Sequence, residues 1–146
     1  MSAPAKFLLL LAAMLPLPAM ALDYLSLAEA AVMYDAPSQK AVPLFVIARL
    51  TPVEVVVALE NWYKVRDSGG GLAWVEKRQL TPKRMVQVTA PRAQVRAQPE
   101  ANAATVFEAE KDVVLELLEV ADAGWVKIRH RDGQSGFVRA SQVWGL

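Results

Sequence analysis

The chain has 146 residues, with 16 Lys and Arg against 15 Asp and Glu, one histidine and no cysteine. Without cysteine there is no thiol nucleophile and no disulfide, and a near-balanced charge lacks the basic block that a nucleic acid partner demands. A metal centre needs several His, Cys or converging carboxylates, and no H-x-x-H, H-E-x-x-H or D-x-D spacing occurs, so neither metal nor cofactor is expected.

The first residues read as a targeting segment. A short n-region with Lys6 precedes an apolar run over residues 7–17, and Ala19-Met20-Ala21 supplies small residues three and one positions before Leu22. This pattern predicts a cleaved signal peptide over residues 1–21. A retained anchor fits less well, because the run is short for ~30 Å of hydrocarbon and contains Pro16 and Pro18. No cysteine at the break leaves no site for a lipid-anchored lipoprotein. No second hydrophobic span follows, so no membrane span is expected after cleavage.

Residues 30–34 predict an extended opening stretch, followed by a turn-rich segment at Asp35-Ala36-Pro37-Ser38. Leu44, Phe45, Val46 and Ile47 form a run that predicts a buried strand, interrupted at Thr51-Pro52. Val53, Val55 and Val57 alternate with Glu54 and Val56, which predicts a half-buried strand. Residues 62–66 and 73–76 form a predicted hairpin around the glycine-rich loop 67–71, and residues 77–79 make one tight turn before Leu80.

The chain then repeats itself. With a constant offset of 63, Trp62 falls on Trp125, Lys64 on Lys127, Val65 on Ile128, Arg66 on Arg129, Gly70 on Gly133, Trp74 on Phe137, Val75 on Val138 and Gln79 on Gln142. One folding unit used twice is the direct reading. The linker Thr81-Pro82-Lys83-Arg84 is short and holds a proline, so the units are expected to keep a fixed relation. Val86 and Val88 lead into the second unit, residues 93–96 match the opening strand, and Val113, Leu115 and Leu117 alternate like their valine counterparts. Asp132-Gly133 is a hairpin signal. Residues 106–120 would also suit a helix by composition, but the valine-rich counterpart would not, and the repeat decides for strand. Many short strands at regular spacing predict an all-β fold of two small barrels.

The repeated pattern G/N-W-x-K-V-R, then Gly, then W/F-V, closing on Q-L or Q-V, resembles the bacterial SH3 domain. The resemblance covers nearly all of residues 22–146. It implies two tandem SH3-like β-barrels after a cleaved signal peptide, with boundaries at 22–82 and 83–146. It further implies a periplasmic protein without catalytic activity, whose domains act as targeting or binding modules, often for peptidoglycan and often beside a separate hydrolase that this sequence lacks. Eukaryotic SH3 domains bind proline-rich helices on aromatic ridges. Val32-Met33-Tyr34-Asp35 is faintly similar to their first element and Trp62 matches their tryptophan. The late proline and tyrosine are replaced by Glu76 and Gln79, and by Arg139 and Gln142, so polyproline binding is not expected.

No residue pattern points to catalysis. His130 lies between two arginines beside a hairpin tip and reads as a solvated loop histidine, and Gly69-Gly70-Gly71 as a turn device. Recognition remains. Strand alternation sends Val65 to the core and Trp62, Lys64 and Arg66 outward, and Trp125, Lys127 and Arg129 repeat that stripe. A tryptophan beside cations suits sugar rings and carboxylates; equally, the tryptophan caps the barrel and the cations are a solvated face. Trp74 and Phe137 are expected to be structural, next to core valines. The expected core is Val32, Val55, Val65, Val75, Leu80, Val95, Leu115, Ile128, Val138 and Val143. Trp144 either plugs the interface between the units or contacts a partner. The absence of Gly at position 73 marks the first unit as the more degenerate copy. The expected partner is peptidoglycan or, alternatively, an envelope protein for which this chain is an accessory subunit.

Overall fold

The computed structural model describes residues 2–4 and 23–146. The expected signal peptide therefore falls almost wholly outside the described residues. Among these described residues, fourteen short strands make two separate seven-stranded antiparallel sheets. The first contains β1 (Asp23–Leu27), β2 (Ala31–Tyr34), β3 (Pro43–Ile47), β4 (Pro52–Ala58), β5 (Trp62–Arg66), β6 (Leu72–Glu76) and β7 (Leu80–Thr81), in the order β3-β2-β6-β5-β4-β1-β7. The second contains β8 (Met85–Val88), β9 (Arg92–Arg96), β10 (Thr105–Glu110), β11 (Val114–Val120), β12 (Trp125–Arg129), β13 (Ser135–Arg139) and β14 (Val143–Trp144), in the equivalent order β10-β9-β13-β12-β11-β8-β14.

Each sheet closes on a core of its own. Leu27, Met33, Ile47, Val53, Val65 and Val75 come from six strands and meet in one buried cluster. A single sheet brings six strands to one cluster only by curling around it, which makes a small barrel. Val88, Val95, Leu115, Ile128 and Val138 do the same in the second sheet. The expected all-β architecture of two tandem barrels is what the chain forms, and residues 77–79 and 140–142 are single 3-10 turns ahead of the closing strands.

Several expectations within the first barrel need correction. Strand β1 was not anticipated, yet Leu27 is fully buried and β1 pairs with both β4 and β7. Leu44, Phe45 and Val46 are exposed rather than buried, because β3 is an edge strand and only Ile47 reaches the core. In β2 the buried residues are Ala31 and Met33, with Val32 on the other face. In β4, Val53 is fully buried, but a bulge between Val55 and Val57 breaks the period of two and leaves Val57 exposed.

The barrels meet at β4 and β8 and through the linker. Ser26 Oγ donates to the carbonyl of Lys83, and Arg84 Nη2 donates to the carbonyl of Gly145 at 2.7 Å. The Arg84 guanidinium lies 5.6 Å from the Tyr24 ring centroid, and Trp144 meets Tyr24 edge-on at 5.3 Å. Trp144 is thus part of β14, paired with Gln87, and packs across the junction.

Candidate ligand-binding face

Residues paired across an antiparallel ladder point to the same side of the sheet. In the first barrel Lys64 pairs with Trp74, and Trp74 pairs with Tyr34. Their neighbours Val65, Ala73, Val75 and Met33 are buried, so the three side chains stand on the outer face. Trp62, two residues before Lys64, joins them, its ring edge-on to Tyr34 at 5.8 Å. Three half-buried aromatic rings and a lysine thus form one continuous outer surface. Trp74, expected to pack beside Val75, belongs to this surface because alternation turns it away from the core.

The second barrel builds the same surface from different residues. Lys127 pairs with Phe137, with its ammonium 5.9 Å from the ring centroid, and Phe137 pairs with Arg96. Arg96 therefore occupies the place of Tyr34, and its guanidinium is spent on the Ala103 carbonyl, the Thr105 hydroxyl and the Gln94 amide oxygen. Trp125 is only 5% exposed, correcting its expected outward display. The cause is its ladder partner: Arg139 lies directly opposite and stacks its guanidinium 4.5 Å from the ring centroid.

The arginines of the two stripes are not available to a ligand as unpaired charges. Arg66 Nη1 lies 3.1 Å from Glu54 Oε2, and Arg129 Nη2 lies 2.9 Å from Glu116 Oε2. Both are cross-strand pairs on β4–β5 and β11–β12. In the first barrel Glu76 takes the place of Arg139, opposite Trp62. Hydrogen bonds from the Gln39 amide and then from Arg78 hold its carboxyl below the ordinary carboxylate range. His130 packs edge-on to Phe107 at 5.7 Å and accepts the Asp132 N–H at 3.2 Å, a local tie of the hairpin tip. Among the described residues, no three His, Asp or Glu side chains converge as metal ligands, and no helix is long and apolar enough to cross a membrane.

Sequence reasoning reached Trp62 and Lys64 but missed that Tyr34 and Trp74 complete their surface. The signal was present in the resemblance of residues 32–35 to the first aromatic ridge of eukaryotic SH3 domains.

Two curled antiparallel sheets in tandem define a pair of SH3-like barrels. A model of the bacterial SH3 domain matches the chain twice, over residues 28–82 and 89–145, and the chain belongs to that family. Among curated proteins nothing matches it. Among solved structures it is similar to NlpC1 from Trichomonas vaginalis, at 14% identity over 87% of this chain and 47% of that one, with a TM-score of 0.39. NlpC2 from the same organism gives 12% identity over 86% of this chain and 49% of that one, with a TM-score of 0.39. An NlpC/P60 family protein from Bacillus cereus gives 17% identity over 83% of this chain and 55% of that one, with a TM-score of 0.38. The chain spans about half the length of these structures.

Proposed function

We propose that the protein is a non-catalytic binding module of the periplasm that recognises peptidoglycan, with units at 22–82 and 83–146 following a signal peptide. Membership of the bacterial SH3 domain family supports a binding role. The observation that carries the reading is the open aromatic surface of the first barrel, where Tyr34, Trp62 and Trp74 stand beside Lys64. Flat apolar rings stack on the faces of sugars, and the ammonium takes a carboxylate of the stem peptide. The first unit is then the binding copy and the second, with its tryptophan covered by Arg139, the supporting one. This reverses the order suggested by the missing Gly at position 73.

The test is retention of the purified protein on isolated sacculi. Trp62→Ala should weaken retention about tenfold, the equivalent of ~1.4 kcal/mol, with the fold intact by circular dichroism. Failure of the unaltered protein to bind sacculi would remove the wall as its target.

One observation favours an envelope protein as the partner instead. Strand β3 is an edge strand, and Val42, Leu44 and Val46 are 60%, 47% and 65% exposed. An unpaired apolar edge accepts an added strand from another chain. Co-purification of a partner that is lost on Val46→Lys, with sacculus binding absent, would establish that reading. Trp144 is a weaker contact candidate, since its ring is engaged by Tyr24.

A further inference from the structure

The junction between the barrels holds a cleft of about 490 Å³ that includes none of the aromatic residues of the two outer faces. Arg49 in the β3–β4 turn, Lys83 of the linker, and Arg129 and Arg131 of the second barrel all line it. Glu116 is the one carboxylate among the lining residues, and it is committed to Arg129 through bonds of 2.9 and 3.3 Å. Asp132, next to Arg131, has its carboxylate engaged by the Gln134 N–H at 2.9 Å. Among the described residues, Arg49, Lys83 and Arg131 have no carboxylate within ion-pair distance. Three cations from three segments thus face one space with a net positive charge.

Two features show that the cleft wall is held in place. Arg49 is anchored by its Nε, which donates to the Ala28 carbonyl at 3.2 Å, leaving its terminal nitrogens for another acceptor. The next residue, Leu50, sits at φ 65°, a left-handed conformation unfavourable for leucine, and its N–H donates to the Leu27 carbonyl at 2.8 Å. The second barrel has Asp112 in the equivalent place at φ 72°, a residue that tolerates this conformation better. The leucine adds an apolar side chain to the cleft, beside Met85 and Val114.

We infer that this cleft is a second binding site, for a short peptide bearing two or more carboxylates spaced by small aliphatic groups. Separated cations interspersed with apolar side chains match several spaced carboxylates better than one compact anion. The identification of that peptide with the stem peptide of peptidoglycan rests on the wall-binding reading. The site itself rests on the junction geometry.

The experiment is calorimetric titration of the purified protein with a soluble stem tetrapeptide, alongside the same peptide with its carboxylates amidated. The free peptide should bind, with an affinity that falls as salt rises. Amidation, or the double variant Arg49→Gln/Arg131→Gln, should weaken it about tenfold or more, whereas Lys40→Gln/Lys111→Gln, with the same loss of charge elsewhere, should change it less than about twofold. Equal binding of the amidated peptide, or an unchanged affinity in the Arg49/Arg131 variant, would overturn the proposal. Retention on sacculi without tetrapeptide binding would sink the cleft and leave the wall reading standing. Tetrapeptide binding without retention on sacculi would do the opposite.

Discussion

The two barrels share a strand order and a pattern of buried residues, and they differ most on one outer face. Tyr34 and Arg96 stand in one equivalent place, Trp62 and Trp125 in another, and Glu76 and Arg139 in a third. In the first barrel the substitutions leave aromatic rings half open to solvent. In the second, arginines occupy the same places, one stacked on the tryptophan and the other tied to its own loop. A duplicated fold keeps its core because every residue there has six or more neighbours, whereas a residue on an outer face has fewer and changes at a smaller cost to folding. The duplicated tryptophan therefore carries different meanings in the two copies: an open contact in one and a buried support in the other.

The largest predicted effect separates those meanings. Trp125→Ala removes a ring that is 5% exposed and should destabilise the protein by about 3 kcal/mol in urea denaturation. Trp62→Ala removes a half-buried ring and should cost about 1 kcal/mol while reducing sacculus retention. Equal losses of stability in the two variants would break the comparison.

A second contrast lies beneath the same face. At Gly136 an added Cβ would come within 2.6 Å of the Arg96 carbonyl oxygen and 2.7 Å of Val95 Cγ1. The first barrel carries Ala73 at the equivalent position, 3% exposed, and accommodates it. Gly136→Ala should therefore destabilise by about 2 kcal/mol, since neither backbone nor buried valine can move freely. Ala73→Gly should cost about 1 kcal/mol, from the lost methyl and the looser unfolded chain. Denaturation midpoints of the two variants test whether β9 approaches β13 more closely than β2 approaches β6.

How much of this was legible follows from the kind of information each feature uses. The repeat fixed strand identity well, because Trp62-Tyr63-Lys64-Val65-Arg66 and its copy alternate cleanly and both become strands over the residues expected. Burial in β3 was not legible, since Leu44-Phe45-Val46 looks the same whether a strand is central or at an edge, and that depends on sheet order. The outward register of Val57 was hidden by a bulge, which leaves no mark in composition. At the candidate face, alternation gave the outward orientation of Trp62 and Lys64. It did not give Arg139 over Trp125 or Glu54 beside Arg66, because both are cross-strand partners whose register sequence spacing does not state. The cationic cleft draws on residues 49, 83 and 131 and had no local signature.

A smaller effect concerns the turn before β4. Leu50 and Asp112 both have positive φ, but aspartate pays less for it. Leu50→Asn should raise stability by about 0.5 kcal/mol, as relief of backbone strain outweighs the loss of a partly buried side chain. Asp112→Leu should lower it by about 1 kcal/mol. A Leu50→Asn variant less stable than the parent would mean that the leucine is kept for packing, with its strain fully compensated.

The smallest effect probes what the two barrels share, their junction. Tyr24 lies between Trp144 and Arg84, and its hydroxyl titrates above the ordinary value of 10.0, chiefly through burial and next through the Glu54 charge, with Arg84 and Arg66 pulling the other way. A raised value means that the folded protein holds this proton where the unfolded chain has released it. The contribution to stability is therefore complete below about pH 10 and is lost as pH rises past the unfolded value toward the folded one. The tyrosinate absorbance lost in Tyr24→Phe isolates this group, and its midpoint should lie above 10.0. Trp144→Ala opens one side of the ring to water and should move that midpoint back down. If it does not, the second barrel contributes little to covering Tyr24, and burial must come from the first barrel alone.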